Sequence, residues 1–149
     1  MKKEINKKRV LFYAPIFIYP TEGGPSISVM NAIKVLSKVS SLHIISSASS
    51  NIFKRKISLK YFSKICKNIK FISPPNFDIK NRFIYKIIPK INRLILPFTS
   101  LYYSIRIIYY AFKNKIQIIW VDRVIEKSFF VYFYLDIFRK IFSIKYKLI

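Results

Sequence analysis

Residues 9–46 constrain the fold of this chain more than any other stretch. "RVLFYA" (9–14) is β-branched or aromatic and apolar at consecutive positions, the pattern of a strand buried on both faces. Breakers then crowd the loop 15–24, at Pro15, Pro20, Gly23 and Gly24. Pro25 stands where a first helical residue is tolerated, because its missing N–H would find no partner there anyway. From Ser26 the pattern turns helical. Val29, Ala32, Ile33 and Leu36 share one face, while Ser28, Asn31, Lys34 and Lys38 share the other. "LHIIS" (42–46) is a second short apolar strand. Strand, glycine turn, helix and strand make a βαβ crossover. That unit implies an α/β fold: a Rossmann-like open parallel sheet with helices on both faces.

The alternation continues along the chain. Residues 52–67 contain a basic helix with spaced apolar positions, and "IKFISPP" (69–75) reads as a third strand stopped by two prolines. Residues 78–93 are irregular and basic. A long helix is expected over 93–115, with a bend near Pro97, then a strand at "IQIIWVD" (116–122) and a helix over 128–142. "KYKLI" (145–149) reads as the start of another strand. A strand opening there implies a continuation, so the sheet of this single unit, 1–149, is expected to be incomplete at its C-terminus.

The run at 94–112, the best membrane-span candidate, is interrupted by Pro97, Thr99, Ser100, Ser104 and Arg106, and falls short of a spanning helix. Lys2–Arg9 followed by Val10–Ile18 mimics an export signal, but Pro15 breaks the apolar stretch and no small-residue cleavage site follows. With one cysteine, Cys66, the chain has no internal disulfide or cysteine metal cluster, and a reducing cytoplasm is expected. The 28 Lys+Arg against 6 Asp+Glu give a net charge of +22, a field that draws polyanions such as nucleic acid, anionic lipid or phosphorylated substrates. A compositional account carries equal weight: Lys, Ile, Asn, Phe and Tyr all have A/T-rich codons, and the chain is heavy in each.

In open α/β sheets ligands bind outside the carboxyl ends of the strands. The segment 15–24 is the most informative one there. Gly23, Gly24 and the N–H of Ser26, at a helix N-terminus, are the candidate contact groups for a phosphate or sugar hydroxyl. By spacing alone the pair is simply a tight turn. It fits neither G-x-G-x-x-G nor G-x-x-x-x-G-K-[ST].

The stretch "KRVLFYAPIFIYPTEGGPSISVMNAIKVLSKVSSLHIIS" resembles the N-terminal domain of GT-B glycosyltransferases of the group 1 / family 4-like type, retaining enzymes of cell-surface polysaccharide assembly. The resemblance rests on Arg9, the strand 10–14 ending at Pro15, and Pro20. It continues through Gly23–Gly24, Asn31 with Ala32 and Leu36, and His43–Ser46, with "KIQIIWVDR" similar to the family's fourth strand. It implies an acceptor-side half that works with a C-terminal donor-binding domain, in the same or a separate chain. The implied reaction moves a sugar from a nucleotide-sugar donor to a polysaccharide or lipid-linked acceptor. The donor is a substrate, and no resident cofactor or metal is implied. Gly23 and Gly24 would lie near the donor phosphates. Asp122 and Arg123, at the end of the fourth strand, are the catalytic candidates, in the neighbourhood where many relatives place a histidine or another polar group near the acceptor; no histidine stands there in this sequence. For Asp122 a plain salt bridge with Arg123 or a lysine weighs equally. His43 opens a strand and reads as structural, and Glu126 as an exposed loop acid.

The span 79–121 has no Asp or Glu. It carries Lys80, Arg82, Lys86, Lys90, Arg93, Arg106, Lys113 and Lys115 among Phe, Tyr and Ile. The charges suit an anionic membrane surface, and with it a peripheral place at the inner face; the aromatics read as core. Two other readings stand beside the glycosyltransferase. One is a basic polyanion-binding module, although no common nucleic-acid motif is visible and no specific nucleic acid is expected. The other is a non-catalytic remnant, since one wall of a two-domain cleft positions little by itself and the isolated chain is expected to be inactive.

Overall fold

The computed structural model describes residues 7–16, 18–21, 23–47, 52–73, 88–122 and 126–149, with 47, 88–95 and 126 by backbone alone. Five strands, β1 (Arg9–Ala14), β2 (Ser41–Ser47), β3 (Asn68–Ile72), β4 (Ile118–Val121) and β5 (Lys147–Leu148), form one parallel sheet in the order β3-β2-β1-β4-β5. The helices between them are α1 (Gly24–Val39), α2 (Ile52–Phe62), α3 (Ile88–Lys113) and α4 (Glu126–Ile141). The fold is α/β and Rossmann-like, as the βαβ pattern implies. Pairing at β5 runs one residue further, since Ile149 N–H donates to the Ile119 carbonyl at 3.0 Å and Val121 N–H donates to the Ile149 carbonyl at 2.9 Å.

Period-two alternation divides each strand between two cores. Val10, Phe12 and Ala14 of β1, with Leu42 and Ile44 of β2, face α1 and α2, where Val29, Met30, Ile33 and Phe62 close the layer. Leu11 and Tyr13, with Ile45, Ile119 and Val121, face α3 and α4 and meet Tyr103, Ile107, Val131 and Leu135. Both faces of β1 are dry because it is the central strand. Each fully buried side chain there contributes about 1.5–3 kcal/mol. The chain moves outward from β1 to β3 with its helices on one face. It then returns past β1 to β4 and β5 with its helices on the other, the arrangement that right-handed crossovers require when the strand order reverses.

Element positions differ little from the sequence reading. The long helix begins at Ile88, inside the stretch read as irregular, and runs on through Pro97 to Lys113. Ser100 and Ser104, which interrupt the apolar run in the sequence, are fully buried. The Ser104 hydroxyl lies 2.8 Å from the Ser100 carbonyl and 3.3 Å from that of Val131, so small residues line the seam where α3 meets α4. Among the described residues no helix is long and apolar enough to cross a membrane.

Candidate functional site

The strand order reverses between β1 and β4, and the crevice outside their carboxyl ends is where a fold of this kind receives ligands. The loop leaving β1 is held firmly. Ile18 is fully buried, the Ser46 hydroxyl donates to the Ile16 carbonyl at 2.7 Å, and the Tyr19 ring stacks on Tyr61 of α2 with centroids 4.2 Å apart. Such anchoring fixes the direction in which α1 starts.

Gly23 caps α1 with φ 137° and ψ 176°, a conformation essentially reserved for glycine. Gly24 is exposed and already helical. A Cβ on either glycine would meet nothing within 4 Å. Backbone geometry therefore accounts for Gly23, whereas neither geometry nor packing inside the chain accounts for Gly24. What Gly24 leaves is an open approach to the first orphan amide of a helix. Ser26 is buried, and its hydroxyl donates to the Gly23 carbonyl at 3.2 Å, so its side chain serves its own turn.

Asp122 follows β4 directly, and its N–H donates to the Tyr13 carbonyl at 3.0 Å. The backbone of Asp122 is thus tied to the end of β1, the strand that feeds the glycine loop. Arg123 lies outside the described residues, so the Asp122–Arg123 pair is not described. Glu126 opens α4 rather than sitting in a loop. His43 is buried in the amino-terminal half of β2, paired in register with Leu11, and its Nδ1 lies 3.1 Å from the Tyr110 hydroxyl. That places it away from the carboxyl edge, among structural contacts. Cys66 is half-buried, its thiol donates to the Phe62 carbonyl at 3.1 Å, and burial pushes its pKa up to about 11.

Two further groups belong to this corner. Tyr13, next to last in β1, is fully buried, and its hydroxyl has no hydrogen-bond partner among the described residues. Burial, with Tyr103 adding to it, pushes the phenol upward, so it stays protonated. Lys127, in the first turn of α4, places Nζ 3.5 Å from the centre of the Tyr103 ring, and that ring lies 6.2 Å from Tyr13. Burial pulls the Lys127 ammonium down to about 8. A lysine in a helix's first turn also opposes the helix dipole. Two costs at one residue, beside a ligand-receiving edge, mark it as a functional candidate. The signal in the sequence was a lysine where the first turn favours acids, and it was missed beside Glu126. Compared with protein-family models, curated proteins and solved structures, the chain matches none.

The start of α1 thus lies on one face of the sheet and the Lys127–Tyr103–Tyr13 cluster on the other, with Asp122 at the end of β4 between β1 and β5. Of these groups the helix start is exposed, whereas Tyr13 is closed inside the core.

Proposed function

We propose that this chain forms the acceptor-side half of a glycosyltransferase of the GT-B kind. It would take part in moving a sugar from a nucleotide-sugar to a polysaccharide or lipid-linked acceptor. The observation that carries the reading is Gly24: an exposed glycine at a helix start, next to the topological switch point, with open space where its side chain would be. In this reading the Gly23–Gly24 turn approaches the donor phosphates, with Ser26 fixing the turn. Asp122 accepts a hydrogen bond from an acceptor hydroxyl, and Lys127 supplies countercharge. A donor-binding unit, in the same polypeptide or another, supplies the second wall and most of the nucleotide contacts.

Backbone NMR of the 15N-labelled chain titrated with UDP-, GDP- and dTDP-sugars tests this. Shifts concentrated at the amides of Gly23, Gly24, Ser26 and Asp122, with one nucleotide-sugar preferred, are expected. Shifts spread over the basic surface, or the same loop shifts from inorganic pyrophosphate alone, would overturn the sugar-transfer reading.

A further inference from the structure

Helix α3 carries two apolar faces. One is core, built from Tyr103, Ile107, Tyr110 and Ala111. The other faces solvent. Phe98 is 72% exposed, Ile105 52%, Tyr109 63% and Phe112 80%. The spacing from Phe98 to Ile105 to Tyr109 to Phe112 keeps these on one side over about 21 Å of helix. Helix α4 also exposes Phe129, Phe133 and Ile141, and Phe142 follows just after it. Between the two helices runs a groove of about 420 Å³ lined by Ile105, Ile108, Tyr109, Phe112, Phe138 and Phe142. The sequence reading placed the aromatics of 79–121 in the core, but among the described residues of that span the structure buries Tyr103 and Tyr110 and exposes Phe98, Tyr109 and Phe112.

The surroundings of this surface are basic. Arg106, Lys113, Lys115, Lys140 and Lys145 are exposed around it, and α3 contains no acidic residue. Helix α4 has two acids, Glu126 at its start and Asp136, and Asp136 is paired with Arg139 at 2.7 Å and Lys140 at 2.8 Å. We propose that the outer face of α3 and α4 docks this protein onto an anionic lipid bilayer, lying in the interface without crossing it. A second copy of the chain would cover the aromatics but bring another +22 of like charge. Nucleic acid would meet the lysines but leave Ile105 and the groove without an apolar medium. A bilayer with anionic headgroups satisfies both, with phosphates at the depth of the lysines and acyl chains at the depth of the phenylalanines. With both helices flat on the membrane, the carboxyl edge of the sheet stands at the rim, open to solvent. The inference therefore does not depend on the proposed sugar transfer.

Co-sedimentation of the purified chain with vesicles tests it, using pure phosphatidylcholine and a mixture with roughly one-third phosphatidylglycerol. Tight binding to the mixed vesicles only is expected. Phe112→Ser with Phe142→Ser, and separately Lys113→Gln with Lys115→Gln, should each weaken it roughly tenfold or more, with circular dichroism unchanged since all four side chains are exposed. Equal binding to neutral vesicles, or insensitivity to either pair, overturns the proposal. So does a stable dimer in light scattering that the phenylalanine pair dissolves, which would give the face to a second copy. Loss of oligonucleotide binding in both variants with vesicle binding intact would give it to nucleic acid.

Discussion

Lys127 holds its ammonium 3.5 Å above the ring of Tyr103, and burial brings its pKa from 10.5 to about 8. Between those values the unfolded chain binds the proton and the folded one does not, so this group's contribution to stability rises with pH across that window. Below pH 8 its full cost is present. Lys127→Met should therefore stabilise the fold at pH 7 by about 1 kcal/mol. The gain is this small because the ammonium is partly exposed and the ring face attracts its charged form. Urea midpoints at pH 7 and pH 10 check this: the gain should shrink at pH 10, and equal gains would exclude desolvation as the cause.

Tyr13 invites a similar substitution. Its buried hydroxyl lacks a partner among the described residues, and an unsatisfied buried polar group costs about 1–3 kcal/mol. Tyr13→Phe is expected to raise stability by about 1 kcal/mol. Thermal melts of the two proteins measure the gain. A destabilised Phe variant would show that the hydroxyl is satisfied within the fold.

The sheet and its helices were legible because local patterns agreed with the tertiary fold. β1 has apolar residues on both sides because both sides are covered, and Pro25 starts a helix where a proline is harmless. The site was legible only in part. Asp122 announced itself by ending a strand, but the Lys127–Tyr103–Tyr13 cluster joins residues from α4, α3 and β1, which no local spacing brings together. The outer face of α3 was misread for a related reason. Aromatics recur all around that helix, and periodicity cannot tell which of two apolar faces meets the sheet.

The two glycines at the start of α1 should respond oppositely to alanine. Gly23→Ala forces a side chain into φ 137°, ψ 176° and is expected to cost about 1–3 kcal/mol. Gly24→Ala enters open space at an ordinary helical residue and should gain about 0.5–1 kcal/mol by restricting the unfolded chain. Its new Cβ would also crowd the exposed amide, so ligand shifts in the loop should fall. Denaturation midpoints for both variants decide the first point, and a Gly24→Ala protein that binds its ligand undiminished would remove Gly24 from the site.

Acid sensitivity is expected to centre on His43. The chain has one histidine and 6 acidic residues, so few groups titrate between pH 7 and 5. Burial, then Lys67 and Arg9, hold the His43 pKa below its ordinary 6.5. Around it, Tyr110 shares the Nδ1 hydrogen bond, and Lys70 lies over the far ring at 5.8 Å, so no described neighbour here welcomes a second positive charge. As pH falls through 6.5 the unfolded chain takes up a proton that the folded chain refuses, and stability drops. His43→Gln keeps a hydrogen-bonding side chain near Tyr110 and removes the titration. Its urea midpoint should change less between pH 7.5 and pH 5.5 than that of the unmodified protein. Parallel pH dependence in the two proteins would show that some other group sets the acid limit of the fold.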